Sequence, residues 1–354
     1  MQHPDICIAG GGIIGLSLAL ELHHRGLRVT VLDRSNPLAE ASTAAAGMLS
    51  AHDPDNPAPL RSLADFSLSL YPAFLDRLHA LSNIRVPFHT HSTLQELPPH
   101  ITEANILTAN ELADLLPALV PDDHRFVLLD EHSLDPRELA AALLAAVRAT
   151  AIDLRPHTPV LSVQSHSNSI AIHTPTGILH AAQFIDCTGA WAATTPSLGI
   201  APKKGQMLAV SLPPSLPLNL VVRTSEIYIV PRTPSSSEQR AIIGATIEDA
   251  GFDKTVHPSD IAHLCSLAAA LLPPLADAPQ LEAWAGLRPA TPDGLPFLGA
   301  LPTQPNHHIA TGHYRNGILL APATSILMAQ TITGEPTSLN LSPFSPARFL
   351  SLPR

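Results

Sequence analysis

The residues Gly10-Gly11-Gly12-Ile13-Ile14-Gly15 carry the pattern G-x-G-x-x-G, and Asp33 stands 18 positions after the last of them. Glycines at these positions let a backbone turn tightly and approach a pyrophosphate. A helix starting there directs its positive end at the phosphate charge, and an acid at the end of the next strand accepts the ribose hydroxyls. That is dinucleotide chemistry, and the motif alone leaves FAD and NAD both open. Two later stretches bear on the choice. The small-residue run Ala41-Ser42-Thr43-Ala44-Ala45-Ala46-Gly47-Met48-Leu49-Ser50 lets backbone lie flat against a planar ring system, or else packs on a sheet. Phe184-Ile185-Asp186-Cys187-Thr188-Gly189-Ala190-Trp191 runs an apolar strand into a glycine turn, a second place where a sheet edge meets a dinucleotide.

The elements that must hold these residues follow from local pattern. Residues 5–9 form a short apolar run ending at glycine; Ile13 to Arg25 follow at helical period, then Gly26, then the run Val29 to Leu32. Strand, turn, helix and strand make a βαβ unit. A second helix starts at Asp135-Pro136-Arg137-Glu138, with Asp135 as N-cap and proline at the first helical position, and runs through Ala149. Strands are expected at Val160 to Val163, Ser169 to His173 and Ile178 to His180, forming an antiparallel meander that returns to the main sheet through Phe184 to Asp186. More strand-like runs, at Leu218 to Val222, Ile227 to Val230 and Ala241 to Thr246, surround a polar tip from Thr233 to Gln239 and imply a separate β-rich region. Helical period returns at Ser259 to Leu272, with Ser259 and Asp260 as caps and Pro273-Pro274 as the stop. It returns again at Thr324 to Thr333, ending at Gly334.

At 354 residues, with 45% hydrophobic and 14% charged residues, the chain can bury more than one core, and two domains with a cleft between them are expected. A formal net charge of −10 supplies no basic field for nucleic acid or anionic membrane surfaces. The three cysteines, Cys7, Cys187 and Cys265, form no C-x-x-C pair, which fits a reducing cytoplasm. The apolar run Ile6 to Leu22 is interrupted by four glycines and reads as neither a signal peptide nor a membrane span. The 19 histidines show no H-E-x-x-H or H-x-x-x-H spacing, so no metal is assigned.

Taken in order, several segments resemble the glycine oxidases of thiamine biosynthesis, within the D-amino acid oxidase family of flavoproteins. They are AAAGMLS at 44–50, CTGAWA at 187–192, KGQML at 204–208, YIVPR at 228–232, GATIEDAGFD at 244–253, WAGLRPATPDGLPFLG at 284–299 and ATGHYRNGILLAPAT at 310–324. The resemblance spans nearly the whole chain. It implies an α/β fold with a Rossmann-like FAD-binding domain, residues 1–83, 132–205 and 284–354, and an antiparallel β-rich substrate domain, residues 84–131 and 206–283. It implies noncovalent FAD, O2 as electron acceptor, and glycine, sarcosine or a small D-amino acid as donor. A thiazole synthase downstream and a homotetramer are further expectations from it.

Hydride removal from Cα needs a neutral amine and a well-placed substrate more than a strong base, so no catalytic side chain is assigned beyond the flavin. Arg288 matches the family arginine that grips the substrate carboxylate, where a planar guanidinium offers two parallel hydrogen bonds. Tyr228 matches a tyrosine that adds a further donor. In Gly312 to Leu319 the loop becomes a helix whose N-terminal amides can stabilise negative charge on the reduced flavin, and Arg315 adds to that stabilisation or steers substrate. Cofactor contacts are carried over to Gly10, Gly12, Ile13, Ile14, Gly15, Asp33, Arg34, Ser42, Ala45, Ala46, Gly47, Met48 and Val160. The set continues with Cys187, Thr188, Gly189, Trp191, Gly312, His313, Arg315, Asn316, Gly317 and Ile318. Departures from the family pattern stand out: His89 to Leu97 stands where a glycine-rich strand is usual and the helical stretch before Asp130 is shortened, which implies a trimmed substrate domain, while Glu226 two positions before Tyr228 and Asp53 where glutamate is common are able to shift selectivity among amines. An amine dehydrogenase with another electron acceptor, and a noncatalytic flavoprotein module, are the rival readings.

Overall fold

A computed structural model describes residues 3–101, 105–166, 169–194, 198–232 and 239–349. Its α-helices, in chain order, are α1 (Ile13–His24), α2 (Ala41–Ala44), α3 (Arg61–Ser82), α4 (Ala109–Leu115), α5 (Pro136–Arg148), α6 (Pro258–Leu271) and α7 (Gly317–Thr333).

The strands Ile6–Ala9 and Val29–Leu32 lie side by side and parallel, with Ile6 opposite Val29 and Ala9 opposite Leu32. All eight residues are buried, which is why these strands read as continuous apolar runs and not as alternating ones. Gln183–Asp186 pairs parallel with Ile6–Ala9 on the other side, then comes Gln304–Thr311, with Phe297–Leu301 antiparallel at that edge and Asp153–Arg155 at the opposite one. Helices α1, α3, α5 and α7 share one apolar core against this six-stranded sheet. The expected meander is present as Ser162–Ser165, Ile170–Thr174 and Gly177–Ala181, antiparallel throughout.

A seven-stranded sheet holds the second core. Its order is Gln280–Ala290, Ala201–Ser211, Arg240–Gly244, Tyr228–Arg232, Val221–Arg223, Thr93–Glu96 and Phe126–Leu129. Helices α4 and α6 supply apolar side chains to that core. The two long strands Ala201–Ser211 and Gln280–Ala290 pair antiparallel, with Lys203 opposite Arg288 and Gly205 opposite Gly286.

Helix α7 contains Pro322, which has no N–H for the carbonyl of Ile318. Side chains of α3 resolve the break: Tyr71 Oη donates to Ile318 O at 2.6 Å, and Ser67 Oγ donates to Leu319 O at 2.6 Å while accepting the Ala323 N–H at 3.1 Å. The N-terminal half of α7 is therefore anchored although it contains a proline, and Gly334 closes the helix in the left-handed region at φ 74°.

Several sequence expectations shift. Helix α6 begins at Pro258 with His257 as N-cap and no side-chain cap, so Ser259 and Asp260 lie inside its first turn. The last helix starts at Gly317, inside the segment Gly312 to Leu319, and runs unbroken through Thr324, because the packing on α3 tolerates Pro322. The strand expected from Leu218 begins at Val221, since Pro213 to Leu220 wraps over the core before joining the sheet. The strand expected from Val160 begins at Ser162. Of the polar tip Thr233 to Gln239, residues 233–238 lie outside the described residues. The stretch His89 to Leu97 holds two short strands, Phe88–Thr90 and Thr93–Glu96.

Candidate active site

A cavity of about 1020 Å³ lies where the N-terminal βαβ unit meets the seven-stranded sheet. That volume is at the top of the range for small-molecule sites and suits a dinucleotide with a small second ligand beside it.

One part of its wall is backbone. Gly10 is in the left-handed region at φ 102°, and a Cβ there would collide with the carbonyl of Cys187. Gly12, Ile13 and Ile14, at the start of α1, line the cavity, so the positive end of that helix lies at its wall. Around them, Asp33 Oδ2 accepts the Gly11 N–H at 2.7 Å and Ser42 Oγ accepts the Ile13 N–H at 2.9 Å. The Arg34 guanidinium lies 3.5 Å over the Trp191 ring and pairs with Glu40 at 2.8 Å. The small-residue run is partly helical, as α2, and becomes extended at Ala45. It is fixed from outside, since Trp284 Nε1 donates to Ala44 O at 3.0 Å and Arg232 Nη2 donates to Ala46 O at 3.2 Å. Gly47, at φ 81°, passes so close to Leu134 O that any side chain there would collide.

A second part of the wall is built from side chains of the seven-stranded sheet. Arg288 lies flat across Gly205, where a Cβ would collide with the guanidinium. Its Nη1 donates to Thr246 O at 3.1 Å and to Lys204 O at 3.4 Å. Those carbonyls are themselves held: Lys204 and Glu248 exchange backbone hydrogen bonds at 3.0 Å, and the buried Lys204 ammonium lies 3.1 Å from Glu248 Oε2. Gln206 Nε2 donates to Glu248 Oε1 at 2.8 Å, and Thr246 Oγ1 donates to the same oxygen. Burial raises the Glu248 carboxyl, yet the donors Gln206, Thr246 and Lys204 outweigh it and hold the group below the usual carboxylate range. Tyr228, opposite Gly244 in the sheet, is the neighbour of Arg288; a Cβ on Gly244 would stand 2.5 Å from its hydroxyl. Burial pushes the Tyr228 phenol up, and Arg288 pulls it back without reversing the shift, so the hydroxyl stays protonated and able to donate.

A third cluster was invisible in the sequence. The buried Arg223 donates to Gln95 Oε1, to Ser50 Oγ and, at 3.1 Å, to Glu131 Oε2. Asp53 Oδ2 lies 3.9 Å from Arg223 Nε and 2.5 Å from Arg315 Nη2, and Asp55 lies 3.5 Å from Arg315 Nη1. Burial pulls the Arg315 guanidinium down, but Asp53 and Asp55 outweigh it and hold it above its ordinary value.

Arg288, Tyr228 and Arg315 all line the cavity, as do nearly all the residues carried over as cofactor contacts. Gly15 and Gly312 do not. Gly15 packs α1 against the backbone of Gly10, and Gly312, at φ 79°, turns the chain beside Thr291 and Phe297. His313 lines the cavity, but its Nε2 is engaged by Thr324 Oγ1 at 3.0 Å, and burial drives its pKa down to about 3, which leaves it neutral. Arg315 is paired with carboxylates and is no bare cation at the helix start. Sequence reading gave no role to Ser50, Gln95, Glu131, Arg223, Lys204 or Glu248, although Ser50, Gln95, Lys204 and Glu248 lie inside segments singled out above. Their partners are 40 to 170 residues away, and no local pattern announces such pairs.

The left-handed Gly10, the first turn of α1 and the small-residue wall offer the cradle an extended dinucleotide with a flat ring needs, so the residues present fit FAD. Among the described residues no cluster of His, Cys, Asp or Glu suits a metal, and no helix is long and apolar enough to cross a membrane. Fold and site together define a dinucleotide-dependent oxidoreductase. Residues 5–331 match the DAO family, FAD dependent oxidoreductase, and the chain belongs to it, with FAD as its cofactor.

Among relatives, the chain is 37% identical to the bifunctional protein ThiO/ThiG of Trichormus variabilis, over 98% of this chain and 55% of that protein, so it spans about half that relative's length. It is 32% identical to the glycine oxidase of Geobacillus kaustophilus, over 98% of this chain and 97% of that one. The crystal structure of glycine oxidase from Geobacillus kaustophilus superposes with a TM-score of 0.91 at 31% identity, covering 98% of this chain and 99% of that one.

Proposed function

We propose that this protein oxidises the amine of glycine, with sarcosine and small D-amino acids as secondary substrates. The observation that carries the reading is Arg288. Of the arginines lining the cavity, Arg34 faces Glu40, Arg223 faces Glu131, and Arg315 faces Asp53. Arg288 alone among the described lining arginines faces no carboxylate: it donates to the carbonyls of Thr246 and Lys204 and to the Tyr228 hydroxyl, and its charge remains to be met by a carboxylate from outside. A zwitterion of glycine's size places its carboxylate on Arg288 and the Tyr228 hydroxyl.

Bound FAD supplies a two-electron acceptor and returns the electrons to O2. The chain's own contribution is placement: Arg288 and Tyr228 fix the carboxylate, the Ala44–Met48 wall sets the depth of the bound ring, and the first turn of α7 turns its amides toward it. The balanced reaction is glycine, water and O2 to glyoxylate, ammonia and hydrogen peroxide. The imine that precedes glyoxylate is what a thiazole-forming enzyme would capture, and that partner, a homotetrameric assembly and a cytoplasmic location are parts of this proposal. So is the division into an FAD-binding domain of residues 1–83, 132–205 and 284–354 and a substrate domain of residues 84–131 and 206–283.

The test is anaerobic titration of the flavin-bound protein with glycine, sarcosine and D-alanine, followed by air and a peroxide assay. Bleaching by glycine with prompt peroxide formation is expected. Bleaching without peroxide turns the protein into a dehydrogenase, and no bleaching by any amine defeats the reading.

A further inference from the structure

The substrate wall carries more charge than binding one carboxylate requires. Three arginines, Arg223, Arg288 and Arg315, line it, together with the carboxylates Asp53, Asp55, Glu96 and Glu226. The distribution is uneven. Arg288 has no carboxylate partner among the described residues, whereas Arg223 and Arg315 are both paired, and the residue that joins those two is Asp53. Asp53 is buried, with its side chain 8% exposed. Its Oδ1 accepts the Asp55 N–H at 3.0 Å, so the loop backbone fixes its orientation, and Oδ2 faces both guanidiniums. The same loop is tied to the start of α7, where Asn316 Nδ2 donates to Asn56 Oδ1 at 2.9 Å. Asp53 is therefore a fixed anion on the cavity wall, held against a rigid helix end.

We infer that Asp53 determines specificity by rejecting substrates that carry a second carboxylate. This rests on Arg288 being the site of the first. A monocarboxylic amine satisfies Arg288 and brings no further charge. A dicarboxylic amine brings a second anion into a wall where Arg315 is already neutralised by Asp53 and Arg223 by Glu131, and where Asp53 itself repels it. Like charges brought together are costly, so an unmatched anion on the wall rejects the wrong ligand in addition to any preference that fit supplies. Asp53 acts in part through Arg315: removing the Asp53 charge leaves that guanidinium, 32% exposed at the cavity wall, facing only the exposed Asp55 at 3.5 Å, without touching Arg288.

The experiment compares acetate with malonate as ligands of the flavin-bound protein, read by perturbation of the flavin absorbance, and glycine with iminodiacetate as substrates. In Asp53→Asn the malonate-to-acetate Kd ratio should fall at least tenfold, and the kcat/KM of iminodiacetate relative to glycine should rise by a similar factor. The double variant Asp53→Asn with Arg315→Gln should give most of that gain back, because the freed cation is gone. An unchanged ratio in Asp53→Asn overturns the proposal. Should that variant not retain flavin, Arg315→Gln alone decides: with Asp53 left unneutralised, the malonate-to-acetate ratio must rise at least threefold, and a constant or lower ratio overturns it. Failure of the functional reading looks different. If acetate does not bind and no amine bleaches the flavin in the unaltered protein, the carboxylate site itself is wrong and the role of Asp53 falls with it. If acetate binds and glycine bleaches, only Asp53 is on trial.

Discussion

The two walls of the cavity are made in different ways. The cofactor wall comes from backbone segments that are each continuous in sequence: the glycines of residues 10–15, the run Ala44–Met48, the turn after Asp186 and the start of α7. The substrate wall is made of side chains that meet only because strands pair in the right register: Arg288 against Lys204 and Thr246, Tyr228 against Gly244, Arg223 against Glu131. A backbone wall depends on sterics and tolerates no added atoms. A side-chain wall depends on balanced charge, and its members can be altered one at a time.

The largest effect should come from adding one methyl group to the backbone wall. In Gly15→Ala the new Cβ collides with Gly10 O, so α1 must move away from the strand that positions the glycine turn. A cost of at least about 3 kcal/mol is expected, read as protein purified without yellow colour and with a lowered Tm. Full flavin occupancy would mean that the turn is more plastic than its geometry implies. Next is Arg288→Ala, which should leave flavin bound while KM for glycine rises about 100- to 1000-fold, roughly 3–4 kcal/mol of charge-assisted binding. An unchanged KM would remove Arg288 from the substrate wall.

The same contrast explains what the sequence disclosed. The βαβ unit, the cap at Asp135 and the meander were legible because each rests on neighbours: an apolar run ending at glycine, Asp135 accepting the Arg137 N–H at 2.8 Å, β-branched residues at Ile170, Ile172 and Thr174. A helix start within Gly312–Leu319 was legible, but its continuity into Thr324–Thr333 was not, because Pro322 argues locally against a helix, and the groups that satisfy its broken turn, Tyr71 and Ser67, lie about 250 positions away. Arg288 and Tyr228 were reached through the resemblance, since an arginine or tyrosine in a strand announces nothing by itself. Asp53 was noticed as an oddity of type, but its two guanidinium partners, 170 and 262 positions away, had no local sign.

A third test uses pH on the cofactor side. Burial depresses His313 to about 3, below the roughly 6.5 of an unfolded histidine, so between these values the unfolded chain binds the extra proton. The stability that neutral His313 contributes is present above about pH 6.5 and is lost as pH falls toward 3. From pH 7 to pH 5 the loss should be about 2 kcal/mol for this group. Urea midpoints of His313→Gln against the unaltered protein should show a shallower decline over that window, and parallel curves would place water at the imidazole.

Smaller effects probe the substrate wall. Glu248→Gln keeps the shape but removes the charge that holds Lys204 and Thr246, whose carbonyls orient Arg288. KM for glycine should rise about 10-fold, roughly 1.4 kcal/mol, with kcat nearly constant; a loss confined to Tm would make the network structural only.

The smallest expected change is Tyr228→Phe. The ring fills the same space against Gly244 and Met207, so packing is preserved and only the hydroxyl is lost. One hydrogen bond to a carboxylate is worth about 1.5–3 kcal/mol in full, and Arg288 retains part of the anchoring, so KM should rise about 5- to 10-fold. Because burial keeps the phenol protonated, the unaltered protein should show no break in KM up to pH 10 that Tyr228→Phe abolishes. Such a break would mean that the hydroxyl ionises in the working range and that the substrate wall is more hydrated than its side-chain contacts indicate.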